Sequence, residues 1–310
     1  MSIAIYTHAD CLKHDMGHGH PERPQRLRAI DDQLITSGIG DFIRYYDAPL
    51  ATTEQLALAH SQKHIDYIFE QSPADDSKMA HIDPDTYMNE FTLQAALRSA
   101  GAAIAATDKV LSDDTEQRVF CSVRPPGHHA ERDEAMGFCF FNNVAIAARH
   151  AIKKHGLERV AIVDFDVHHG NGTEDIVADD PQILFCSTYQ HPLYPERAKP
   201  SKKGYLINAP LAQGAGGAEF REAVEGYWLP ALHDFKPQMI FISAGFDAHL
   251  EDEMAGLRLV ENDYKWVTEQ LCEIADKYAD GRIVSMLEGG YDTSALARSV
   301  VAHLKVLMKL

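Results

Sequence analysis

The sequence predicts an α/β fold: a single-domain open, mostly parallel β-sheet with helices on both faces. Three observations carry this. Five short apolar runs, residues 119–123, 160–163, 183–187, 239–243 and 283–287, alternate with stretches of helical periodicity. Each run leads straight into a loop crowded with His, Asp, Gly or Tyr, and ligands of such sheets bind beyond the carboxyl ends of the strands. No linker, composition break or internal repeat divides the 310 residues, so residues 1–310 are expected to form one domain with a sizeable core.

Taken in order, Ile3-Ala4-Ile5-Tyr6 reads as a first strand. His18 to Arg26 is too rich in Gly and Pro for a helix; one follows over 26–37, stopped by Gly38 and Gly40. Residues 53–70 carry apolar positions at helical spacing, as two helices meeting near His60-Ser61. Residues 72–85, with Pro73, Asp75, Asp76, Asp83, Pro84 and Asp85, read as a polar loop and the most mobile segment. An Ala-rich helix over 95–110 precedes the five strands, and helices over 143–154, 173–178, 219–232, 263–278 and 294–308 alternate with them. Val160 to Val163 is short, apolar and β-branched, the pattern of a strand buried on both faces.

Composition removes several function classes. A formal net charge of −17 leaves no basic surplus to neutralise phosphates, which argues against a nucleic-acid binder. It does not oppose a cationic substrate. No run approaches the roughly 18 apolar residues of a membrane helix, and Met1 leads directly into the first strand, so no membrane is expected and the chain reads as cytoplasmic. The five cysteines are dispersed with no C-x-x-C pair, as reduced core residues are. The 17 histidines cluster, notably at His128-His129 and His168-His169.

The organising stretch is Asp164-Phe165-Asp166-Val167-His168-His169-Gly170-Asn171-Gly172, at the end of the strand over 160–163. Alternation along a strand puts Asp164, Asp166 and His168 on one side, a mixed oxygen and nitrogen ligand set. Helix capping alone would use one Asp and leave the others without purpose. A catalytic Zn²⁺ takes three protein ligands and keeps one position open, and Asp247, which follows a strand of the same orientation, is the best third. The other loops then fit amide hydrolysis: a metal polarises a carbonyl and activates water. His129 or His128 can move the proton, and Tyr291, after two glycines, can donate to an oxyanion. Phe138 is a candidate tunnel wall, whereas His20, Cys139 and Asp292 read as structural.

With these motifs in view, the chain resembles the zinc-dependent histone deacetylase family, which includes acetylpolyamine amidohydrolases and has the arginase–deacetylase fold. The matching segments, in family order, are HPERPQR (20–26), RPPGHH (124–129), GFCFFNN (137–143), DFDVHHGNGT (164–173), AGFDAH (244–249) and EGGY (288–291). The resemblance implies that Asp166, His168 and Asp247 hold one Zn²⁺ per chain, with His129 as general base and acid. His128, oriented by Asp164, would assist electrostatically, and Tyr291 would polarise the acyl carbonyl. Phe138 and Tyr194 would flank the acyl-lysine channel, with Gly137 and Met254 near its wall, and Arg26 beside an internal cavity through which acetate would leave. It also implies a structural K⁺ bound by Asp164, Asp166, His168, Ser187 and Thr188.

Three features depart from that pattern, the first of them from the nuclear branch of the family and the other two from its usual loops. Asn171 replaces an Asp, as in the class II-like branch; Glu196-Arg197-Ala198-Lys199 follows Tyr194-Pro195; and His249-Leu250-Glu251-Asp252-Glu253 brings three carboxylates to the expected mouth, favouring cationic substrates. The implied function is removal of acetyl or related acyl groups from acyl-lysine in proteins, with acetylated polyamines as the alternative substrate. A dinuclear Mn arginase-like hydrolase and an inactive acyl-lysine-binding protein are the remaining readings. An oligomer is compatible with all of them.

Overall fold

A computed structural model of the chain describes residues 2–75, 78–112, 116–202 and 204–310. Among these residues there are ten strands: β1 Ile3–Thr7, β2 Ile43–Asp47, β3 Ala80–Asp83, β4 Thr86–Met88, β5 Arg118–Cys121, β6 Val160–Asp164, β7 Ile183–Gln190, β8 Leu206–Leu211, β9 Met239–Ala244 and β10 Ile283–Leu287. Eight form one sheet in the order β2-β1-β5-β10-β9-β6-β7-β8, every pair parallel. Strands β3 and β4 make a separate antiparallel hairpin.

The helices are α1 Gln25–Thr36, α2 Thr53–Leu56, α3 Gln62–Gln71, α4 Thr92–Ser112, α5 Asn143–His155, α6 Asn171–Val177, α7 Gly217–Ala223, α8 Leu229–Phe235, α9 Glu261–Tyr278 and α10 Thr293–Leu307. Helices α1, α9 and α10 pack together, while α4 lies on β5 and β10 and α5 on β6 and β9. The strands between these layers are fully buried, β6 along its whole length. Each Val or Ile so buried stabilises the fold by about 1.5–3 kcal/mol relative to exposure.

Local chemistry explains the boundaries. Asn142 caps α5 by accepting from the Ala145 amide at 3.0 Å, and Gly156, at φ 71°, ends it. Ser61 caps α3, so the break near His60-Ser61 falls where the sequence puts it.

Some elements differ from expectation. The segment 72–85 is not wholly loop: it contains β3, and Asp83-Pro84-Asp85 turns the chain into β4, whereas Asp76 lies outside the described residues. The 219–232 helix is two helices, α7 and α8, joined through a wider π turn over Val224–Trp228. Strand β7 runs on to Gln190, so Thr188 and Tyr189 are strand rather than loop. Among the described residues, no helix is long and apolar enough to cross a membrane.

Candidate metal centre and channel

The four central strands β5, β10, β9 and β6 end side by side, and their loops carry the site. Strand β6 ends at Asp164, so Asp166 and His168 stand in the loop beyond it rather than alternating along the strand. The loop curls over its own carboxylates: the Asp166 amide donates to Asp164 Oδ1 (3.1 Å) and the His168 amide to Asp166 Oδ1 (2.9 Å). From the neighbouring β9 loop, Asp247 Oδ1 accepts from the Val167 amide at 2.9 Å. The ligand atoms of Asp166, His168 and Asp247 all lie within 4.8 Å of one another.

Electrostatics fits a cation at their centre. Asp166 and Asp247 are buried. His168 Nδ1 lies 3.2 Å from both Asp166 Oδ1 and Asp247 Oδ2. Yet Asp247 Oδ2, which has no exposure to solvent, accepts no hydrogen bond of usable geometry. Burial first, and Asp166 next, push the Asp247 carboxyl up to about 7. Burial opposes a charge on His168, but Asp166 and Asp247 outweigh it and raise the imidazole to about 10. Two buried carboxylates thus demand positive charge, and an unsatisfied oxygen faces the space where an ion would supply it. Gly289 keeps that space open: a Cβ there would stand 2.0 Å from Asp247 Oδ2 and 2.6 Å from Asp166 Oδ2.

The β5 loop supplies two histidines with different partners. His128 Nδ1 is 3.0 Å from Asp164 Oδ2, and its backbone is fixed by Glu288 Oε2, which accepts from the Gly127 and His128 amides. Burial works against a charge on His128, but Asp166 and Asp164 more than offset it and raise it well above an ordinary histidine. His129 goes the other way: burial first, then His128 and His168, hold it well below the usual value. Its Nδ1 is 2.7 Å from Asn171 Oδ1. The Asn171 amide nitrogen donates to Glu131 Oε1 at 2.7 Å, which fixes the oxygen toward the imidazole. His129 therefore carries its proton on Nδ1 and offers a free Nε2.

A cavity of about 180 Å³ leads to these groups, lined by His129, Gly137, Phe138, His168, Tyr194 and Met254, with Tyr291, Leu193 and Asp85 completing the wall. The Tyr194 ring meets His129 edge-on at 5.2 Å, and Phe138 meets Tyr291 at 5.9 Å. Phe138 adopts φ 68°, with its amide held by Thr86 Oγ1 at 3.0 Å. Gly137 has φ 56°, and a Cβ there would lie 2.5 Å from His129 Cδ2. Burial, with Asp247 next, raises the Tyr291 phenol, which stays protonated.

Arg26 is not among the cavity-lining residues. It is buried behind them, donating to the carbonyls of Gly290 (2.6 Å) and Glu288, with its guanidinium 5.0 Å from the Tyr291 ring centre. Asp164, Ser187 and Thr188 are buried, and Ser187 Oγ, on the residue in register with Asp164, has no hydrogen-bond partner among the described residues.

Of the three carboxylates expected at the mouth, Asp252 turns inward. Its Oδ2 accepts from the Tyr291 (2.6 Å) and Asp292 (3.0 Å) amides, two partly buried donors of that turn. Glu251 pairs with Arg298 at 2.8 Å, and Glu253 is exposed. Sequence reasoning missed Asp85, Leu193, Glu131 and this use of Asp252. Leu193 adjoins Tyr194, which the resemblance placed at the channel, whereas Asp85 offered only an Asp-Pro-Asp turn.

Residues 20–307 match the family model described as the histone deacetylase domain. A probable deacetylase of Archaeoglobus fulgidus is 37% identical, over 94% of this chain and 82% of its own length. A histone deacetylase-like amidohydrolase of Pseudomonas aeruginosa is 36% identical, over 88% and 73%. The crystal structure of the HDA15 HD domain superposes with a TM-score of 0.92 at 32% identity, covering all of this chain and 90% of that one.

Proposed function

This chain belongs to the histone deacetylase family, and from that premise we propose that it is a zinc-dependent amidohydrolase removing acetyl or related acyl groups from the ε-amine of acyl-lysine. One observation carries the reading: Asp166, His168 and Asp247 converge, with an orphaned Asp247 oxygen, and His168 of that set lines an aromatic-walled cavity together with His129 and Tyr291.

Asp166, His168 and Asp247 would hold the Zn²⁺, which would supply the Lewis acid that polarises the acyl carbonyl and acidifies a water. His129, neutral and with Nε2 free, takes the water's proton and returns it to the departing amine. His128, kept cationic by Asp166 and Asp164, steadies the negative charge that develops beside it. The Tyr291 hydroxyl donates to the oxyanion, and the Asp252 carboxylate fixes the backbone from which Tyr291 projects. Phe138 and Tyr194 would hold the aliphatic stem of the substrate and exclude water. Arg26 positions the 288–291 turn from behind rather than touching substrate. A K⁺ beside Asp164 is our reading of the Ser187 hydroxyl, a buried oxygen with no other partner. The five cysteines, all buried and free, are compatible with a reducing, cytoplasmic setting.

Acetylated polyamines are the second reading, favoured by the Asp85 carboxylate in the cavity wall and exposed Glu253 beside it. The test is acetate release from acetyl-lysine peptides, longer acyl-lysines and acetylated polyamines by the purified enzyme. A higher kcat/KM for the peptide supports the lysine reading; a higher value for the polyamine replaces it; no acetate from any substrate removes the proposal.

A further inference from the structure

Strands β5 and β6 begin at the end of the sheet opposite the channel, and α4 and α5, which precede them, both finish on that side. A second group of metal-ligating side chains meets at this end. Asp108 lies in the last turns of α4, and His150 and His155 in the last turns of α5, His155 being its final residue. His150 Nε2 is 2.7 Å, and His155 Nε2 2.6 Å, from the same oxygen, Asp108 Oδ1. The two rings meet edge to face at 5.5 Å. The side chain of His150 is only 5% exposed, whereas those of His155 and Asp108 are 23% and 41% exposed, so one ligand is fixed and the group opens to solvent. The reaction described above uses none of these residues.

We propose that Asp108, His150 and His155 form a second, structural metal site that takes a borderline-soft divalent cation such as Zn²⁺ and joins α4 to α5. Two imidazoles and a carboxylate are a ligand set suited to that class of ion, and solvent can fill the remaining position. Both helices present their carboxyl ends here, where the helix dipole favours positive charge. Lys154, which acts on Asp108 as a nearby cation, opposes it. The nitrogen–oxygen separations are those of hydrogen bonds. Metal–ligand bonds of about 2.0–2.1 Å put tetrahedral ligand atoms about 3.3 Å apart, so Asp108 must withdraw by roughly 0.6 Å. Its exposure allows that movement, while buried His150 stays in place.

The test counts zinc by equilibrium dialysis of chelator-stripped protein at micromolar free zinc. Wild type should bind one ion per chain more than His155→Gln or Asp108→Asn. Placing either change in an Asp247→Asn background should remove one ion as well, which separates this site from the catalytic one. Zinc should raise the melting midpoint of Asp247→Asn, and this rise should shrink in the double variant, while His155→Gln alone releases acetate at the wild-type rate. Equal zinc content in wild type, His155→Gln and Asp108→Asn overturns the proposal.

Discussion

In the proposed mechanism the Tyr291 hydroxyl is the oxyanion donor. Its ring is braced by Phe138 and by the Arg26 guanidinium, so Tyr291→Phe should leave the cavity shape and the metal ligands intact. Removing one oxyanion donor of this kind costs on the order of 10²–10³ in kcat. Steady-state kinetics of Tyr291→Phe should therefore show that fall with metal content unchanged, and an unimpaired kcat would remove the role. Tyr291 was legible in the sequence because two glycines after an apolar run free the following side chain. Glu131 was not, since its contact with Asn171 crosses 40 residues of chain and depends on how two loops fold together.

At the scale of elements, the proposed mechanism gives the loop over 249–254 an indirect part, through the bonds by which Asp252 holds the Tyr291 and Asp292 amides. Asp252→Ala leaves the Tyr291 and Asp292 amides without their acceptor, at about 1–3 kcal/mol for each unsatisfied buried group. We expect a lower melting midpoint and a kcat reduced about tenfold or more, equivalent to roughly 1.4 kcal/mol of transition-state stabilisation, with zinc binding retained. Loss of stability with wild-type kcat would reduce Asp252 to a structural residue. The five strands that feed the site were readable because they are central and buried on both faces. The edge strands were not: β2 is half exposed, with Arg44 and Asp47 breaking its apolar pattern, and β8 carries Asn208 and Pro210. Proline is tolerated in such a strand because it lies at the edge. The β3–β4 hairpin escaped notice because its strands are short and its acidic turn imitates a loop.

For the whole molecule, buried histidines set the acid limit. Burial, with His64 next, lowers His60 to about 3, and burial lowers His303 to about 3. His303 sits neutral between the Thr268 and Ser285 hydroxyls at 2.7 and 2.9 Å. An unfolded histidine titrates near 6.5, so between about pH 6.5 and 3 the unfolded chain binds protons that the folded chain refuses. Stability falls on acidification across that window, by on the order of 4 kcal/mol from these two residues by pH 5. Below the usual carboxylate range Glu22 adds to the loss. Burial opposes its charge, but Arg124, His14 and Arg26 hold it well below its ordinary value, and its contribution goes as pH drops through that lowered value. Asp247 and His168, whose values are raised, act in the opposite sense over part of the histidine window, so the test is a difference. In urea unfolding the fall in stability from pH 7.5 to pH 5 should be smaller by about 2 kcal/mol in His303→Gln than in wild type, and an equal fall in the two would contradict it.

The central claim is that hydrolysis depends on one ion held by Asp166, His168 and Asp247. Its most direct test is acetate release by folded protein before and after complete removal of metal, followed by titration with Zn²⁺. The account predicts that activity disappears with the metal, returns on zinc addition, and does not return in Asp247→Ala. A fully demetallated, folded enzyme that releases acetate at the original rate would contradict it.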